Sequence, residues 1–140
     1  SIASNALMFD EFIAGHPAFS EDRSSLFTNE RRNIKLHGHC HQKVLASVEA
    51  TKKMLSIPKN YNVDEIKSGC CGMAGSFGYE KEHYEVSMKI GELVLFPEVR
   101  KTSSEVIIAA PGTSCRHQIK DGTGRTAWHP IEILYDSLVK

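Results

Sequence analysis

Apolar and polar residues along the chain follow two rhythms in turn. Over residues 2–14, apolar residues recur at helical spacing, at Ile2, Ala6, Phe9, Phe12 and Ile13. This predicts a helix that ends near Gly15, ahead of Pro17. The rhythm then stops. Residues 16–32 are polar and irregular, with Ser20, Asp22, Ser24 and Ser25, and predict a long loop or a lid. Residues 33–37 have strand character, and Val44, Leu45, Val48 and Leu55 give the following segment a helical apolar stripe that Pro58 closes. A second short strand is expected over residues 63–67. Residues 79–95 predict a helix with Val86, Ile90, Leu93 and Val94 on one face. The run from Val106 to Ala110 is apolar at every position, as in a parallel strand covered on both sides. A short strand over 126–128 then meets Pro130, which suits the first turn of a last helix carrying Ile131, Leu134, Tyr135 and Leu138.

Strands thus alternate with helices. The pattern predicts an α/β domain with a mostly parallel sheet, right-handed crossovers and helices on both faces. With 140 residues and no internal composition shift, residues 1–140 read as a single domain.

Charge narrows the function classes. Lysine plus arginine equals aspartate plus glutamate, for a formal net charge of zero. A nucleic-acid binder carries a basic excess or stripe, and the nearest thing to one is Arg31, Arg32 and Lys35 beside Glu30, read as a solvated loop end. No apolar run approaches the roughly 18 residues of a membrane-spanning helix. The first residues lack the pattern of an export signal, so the expected location is cytoplasmic. The N-terminal helical pattern starts abruptly, and the chain reads as a piece of a longer protein.

The chemistry is concentrated in four cysteines, Cys40, Cys70, Cys71 and Cys115. In a reducing compartment clustered cysteines are ligands or catalysts more often than cross-links, and a bridge between the neighbours Cys70 and Cys71 is strained. Each cysteine element directly follows an expected strand. In an open parallel sheet all such loops emerge at the carboxyl edge, where ligands bind, so cysteines far apart in sequence can converge there as one metal-ligand set. Cys40 and Cys115 also fall near expected helix starts, whose positive partial charge favours thiolate. Gly69, Gly72, Gly75 and Gly78 allow tight turns and offer N–H groups to sulfur, marking Gly69, Gly72 and Gly75 as candidate cofactor-binding residues. Five histidines lie close by: His37, His39, His41, His117 and His129. Of these, His39 and His129 are the favoured additional ligands, while His16 and His83 read as exposed. No Cys-x-x-Cys pair is present, which excludes the common zinc knuckle and the thioredoxin-type redox pair.

Three motifs, His39-Cys40-His41, Gly69-Cys70-Cys71-Gly72 and Gly112-Thr113-Ser114-Cys115-Arg116-His117-Gln118, resemble the cysteine-rich CCG domain. That domain recurs in heterodisulfide reductases, glycolate oxidase iron–sulfur subunits and lactate-utilisation proteins. The stretch from His37 to His129 is most similar to the C-terminal end of fused FAD-linked oxidases with iron–sulfur domains, of the D-2-hydroxyglutarate and D-lactate dehydrogenase type. The resemblance implies an electron-transfer domain holding an iron–sulfur cluster on Cys40, Cys70, Cys71 and Cys115. It also implies FAD-binding and ferredoxin-type domains of the same parent protein as partners, a 2-hydroxy acid as substrate of the whole, and a location in the cytoplasm or at the inner face of the membrane through the parent complex. One position departs from the family. Many CCG domains end in Cys-x-x-Cys, but here the second position is Gln118, which removes a ligand. A zinc-binding structural or interaction domain, and a thiol/disulfide reductase-type module, are the alternative readings of the same cysteines.

Overall fold

The computed structural model describes residues 1–19 and 24–140. Ser20 and Asp22, part of the expected loop or lid, lie outside the described residues. Four parallel strands form the sheet: β1 (Arg32–Leu36), β2 (Tyr61–Glu65), β3 (Ile107–Ala109) and β4 (Ala127–Trp128). Their spatial order is β2-β1-β3-β4, so the chain leaves β1 toward one side and returns to its other side with β3. The gap between the carboxyl ends of β1 and β3 is therefore the topological switch point, where open α/β sheets hold their ligands.

Side-chain alternation within the strands separates two cores. Ile34 pairs with Ile107 and Leu36 with Ala109, and these residues share one face with Leu55 and Ile133. On the other face Ile108 packs with Leu95, Phe96, Val99 and Ile119. Helices accordingly cover both faces, as the α/β reading requires. In chain order they are α1 (Ile2–Asn5), α2 (Phe9–Gly15), α3 (Cys40–Leu45), α4 (Val48–Leu55), α5 (Tyr84–Leu93), α6 (Leu95–Lys101), α7 (Thr113–Thr123) and α8 (Pro130–Asp136). Short 3₁₀ turns at Pro17–Phe19, Ser24–Leu26, Phe77–Tyr79 and Lys81–His83 connect them.

Several expected helices are broken, each for a local reason. The one predicted over 2–14 is interrupted by extended backbone at Ala6 and Met8, where Glu11 reaches back to accept the Met8 N–H at 2.8 Å. Its expected apolar face is exposed at Ile2, Phe9 and Phe12, and the buried residue is Asp10. Asp10 accepts hydrogen bonds from Gln42 Nε2 (2.8 Å) and from the Thr51 hydroxyl, clamping α2 onto α3 and α4. The helix expected through Val44 to Leu55 divides at Ser47, whose hydroxyl caps α4 by accepting the Glu49 N–H, leaving Val44 and Leu45 exposed. On α5 the expected core face Val86, Leu93 and Val94 faces out, while Ser87 and Gly91 face in. Gly91 is small because the Phe96 ring lies directly over it. Pro130 does open α8, with Ile133 and Leu134 buried.

Candidate metal centre

β1 ends at Leu36, and the next residue, His37, donates its backbone N–H to Ala109 of β3 at 2.8 Å. The sheet ladder thereby carries on past the strand and fixes His37 in the gap between β1 and β3. Its side chain is buried, with the residue 1% exposed. Nδ1 lies 2.7 Å from the Ser68 hydroxyl, and Nε2 is buried without a hydrogen-bond partner. From β3 the chain passes Pro111 and Gly112 and enters α7, with Cys115 as its third residue, 1% exposed. From β2 it passes Ile66 and Ser68 into the glycine-rich loop, where Cys71 is 4% exposed. A ring nitrogen of His37 and the sulfurs of Cys71 and Cys115 all lie within 4.8 Å of one another.

Backbone geometry explains part of that convergence. Gly72 has φ +104°, a left-handed conformation, and a methyl group there would collide with the Ser87 carbonyl. Only glycine lets the loop turn so close to α5. The Gly72 N–H donates to Cys70 Sγ at 3.3 Å, which is the N–H to sulfur contact expected of this loop. Gly75 also turns left-handed at φ +70°, whereas nothing lies within contact of a side chain added at Gly69.

The two inner sulfurs share a proton unequally. Cys115 S–H donates to Cys71, which draws the Cys71 thiol down to about 4 against the opposing effect of burial, with His37 and the Met73 N–H adding to it. The Cys115 thiol is pushed up, by that same hydrogen bond, by burial and by the charges of Cys71, Cys40 and Cys70. Metal ligation needs thiolate, and the lowering of the Cys71 thiol favours that form.

The other expected ligands sit differently. All four cysteines are unbridged; Cys40 is exposed at the first position of α3 and Cys70 is half-buried. Both lie close enough for their charges to act on Cys115, but neither joins the group within 4.8 Å. His39 stacks on His41 at 6.1 Å and presses against Gly112. His129 Nδ1 accepts the Ile131 N–H at 3.2 Å and so caps α8. Burial, followed by the Arg116 charge, pulls the His129 pKa below its ordinary value. Neither favoured histidine stands in the buried group. The histidine that does is His37, and the clue was its place at the carboxyl end of the strand before the first cysteine. His39, His41, Gly112 and His129 line a cleft of about 250 Å³ together with Met8, Gln42, Leu45 and Pro111. A larger one, about 460 Å³, opens beside the strand starts at Arg32, Tyr61 and Ile107 and contains neither cysteine nor histidine.

The donor set, one imidazole and two sulfurs with two more sulfurs nearby, fits zinc or iron. No family model and no solved structure matches the chain. Curated proteins do. The chain is 29% identical over 105 residues to a subunit of the anaerobic glycerol-3-phosphate dehydrogenase of Escherichia coli (strain K12), covering 75% of the chain and 26% of that protein. It is 32% identical over 134 residues to D-2-hydroxyglutarate dehydrogenase of the same organism, covering 94% of the chain and 13% of that protein. The Pseudomonas putida D-2-hydroxyglutarate dehydrogenase is 33% identical over 104 residues, covering 73% of the chain and 10% of the protein. Its homologues are dehydrogenases. The chain spans about a quarter or less of their length. No helix among the described residues is long and apolar enough to cross a membrane.

Proposed function

We propose that the chain is a metal-holding electron-transfer domain of a larger FAD-linked dehydrogenase that oxidises a 2-hydroxy acid, with an iron–sulfur cluster as its cofactor. The observation that carries this is the convergence of His37, Cys71 and Cys115 at the switch point, with Cys40 and Cys70 at its rim. Similarity to D-2-hydroxyglutarate dehydrogenases supports the substrate class. When bound, the cluster accepts and passes on single electrons. The chain's own residues supply thiolate ligands, exclude water through the burial of Cys71 and Cys115, and direct N–H groups at Cys70 and Cys71. Such N–H groups help set a cluster's potential. Its partners in this reading are the FAD-binding and ferredoxin-type domains of the parent protein.

Anaerobic reconstitution with iron and sulfide tests it. A charge-transfer absorbance that Cys71→Ser abolishes is expected, and a colourless product without bound iron overturns the cluster. The imidazole beside the sulfurs favours a second reading, a zinc site without redox activity. Stoichiometric zinc in protein purified without added metal, with a large loss of melting temperature on chelation, decides for it. Burial of Cys71 shields that thiolate from a disulfide substrate, which leaves exposed Cys40 and half-buried Cys70 as the reachable thiols for a thiol–disulfide reading.

A further inference from the structure

We infer that His37 is a metal ligand, coordinating through Nε2 together with the sulfurs of Cys71 and Cys115, in a nitrogen–sulfur donor set for a divalent metal of the zinc and iron class. This rests on the reading that the carboxyl edge holds a metal, and it goes further by moving the metal's anchor from a four-cysteine set to one histidine and two inner cysteines.

Three observations converge on His37. A ring nitrogen lies within 4.8 Å of both inner sulfurs, in a pocket where each of the three residues is at most 4% exposed. Native proteins rarely leave such a buried nitrogen unpaired, and one that is unpaired calls for an unplaced partner; Nε2 of His37 is one. Finally, the other side of the ring is already organised. Ser68 Oγ lies 2.7 Å from Nδ1 and also contacts the Ile66 carbonyl at 3.5 Å. In the tautomer that carries its hydrogen on Nδ1, Ser68 accepts from Nδ1–H and the Nε2 lone pair is left for the metal. A hydrogen-bond acceptor on the opposite nitrogen is how proteins orient metal-bound imidazoles.

Other nearby polar side chains are engaged elsewhere. Gln118 stands where many sequences of the resembling family have a further cysteine. It is 2% exposed and donates from Nε2 to the Ser87 carbonyl (3.1 Å) and hydroxyl (2.8 Å). The Gln118 amide nitrogen is therefore spent on holding α5 to α7. His129 is committed to its helix cap, so it does not compete with His37.

Cobalt(II) titration of the chelator-treated full chain under anaerobic conditions tests the inference. Wild type should bind stoichiometric cobalt, with the visible bands of a four-coordinate nitrogen–sulfur site and nitrogen hyperfine coupling in its magnetic resonance spectrum. His37→Ala should lose the nitrogen coupling and at least about 100-fold in affinity, and Ser68→Ala about tenfold, since removing the hydrogen-bond partner of a ligand costs roughly 10–100-fold. His37→Cys should restore binding with a stronger thiolate charge-transfer band. A folded His37→Ala that binds cobalt as tightly, with an unchanged spectrum, overturns the role of His37 and leaves the metal reading standing. If wild type takes up neither cobalt nor iron, the metal reading itself falls and this inference with it. Should His37→Ala not fold, His37→Cys decides: a gain in thiolate absorbance supports the assignment, and an unchanged spectrum overturns it.

Discussion

Cys70 and Cys71 are neighbours in the chain and belong to different environments. Cys71 is buried and hydrogen-bonded to Cys115, beside His37; Cys70 is half-buried, and its contact is the N–H of Gly72. The same division separates Cys115, 1% exposed inside α7, from Cys40, exposed at the start of α3. Residue type is identical in all four, so the difference comes from position alone. The inner pair is placed by the sheet switch point, the outer pair by loop and helix ends around it. Four cysteines therefore need not be four equivalent candidate ligands.

The largest expected effect tests that division directly. Cys71→Ser and Cys115→Ser should each abolish stoichiometric metal uptake, measured as metal per chain after anaerobic loading, whereas Cys40→Ser and Cys70→Ser should only weaken it. Equal loss in all four would erase the distinction between inner and outer pairs. Next comes the loop that carries the two cysteines. Gly72→Ala should destabilise the chain by about 2–4 kcal/mol in urea unfolding, because it combines a left-handed backbone with a collision against the Ser87 carbonyl. Gly69→Ala, with open space around it, should stay within about 0.5 kcal/mol.

A smaller effect follows from protons. In metal-free protein the Cys71 thiolate should persist through mildly acidic pH and be lost only as pH falls toward about 4, followed by thiolate ultraviolet absorbance. Its folded pKa lies below the unfolded thiol value of about 8.5. It therefore contributes stability that is complete above the unfolded value and declines as pH falls through the folded one. Cys115→Ser should raise the Cys71 value, since the Cys115 hydrogen bond is the largest cause of its depression. The smallest effect belongs to an exposed surface. Leu93→Ser, on the outward face of α5, should change unfolding free energy by no more than about 0.5 kcal/mol. A cost of several times that would mean that the face is covered in solution.

The strands were legible because a sheet covered on both sides demands apolar runs, and 106–110 supplied one around β3. From the strand ends, the convergence of Cys71 and Cys115 followed by topology. The helices were less legible. Stripes such as Val44 and Leu45, or Val86 and Leu93, show an amphipathic pattern and nothing about what covers it; packing instead selected Ser87 and Gly91, where backbone and the Phe96 ring approach closely. Asp10 was hidden for the opposite reason, since a carboxylate reads as surface until its buried partners Gln42 and Thr51 are known. The choice among histidines turned on side-chain direction and on what each nitrogen already bonds. Spacing cannot distinguish a helix cap such as His129 from an open nitrogen such as that of His37.

The Asp10 clamp has a kinetic consequence. Gln42 lies two residues after Cys40 in the same short helix, and Thr51 belongs to α4. Opening α2 would carry Asp10 into water and leave Gln42 and Thr51 without their buried partner, so α2, α3 and α4 should unlock together as one cooperative unit rather than fray in turn. Amide hydrogens of the three helices should then exchange at a common rate, and Asp10→Ala should accelerate all three while sparing α6 and α7. The rim of the candidate metal centre would thus keep time with the first helices of the chain, and its inner pair with the opposite side of the sheet.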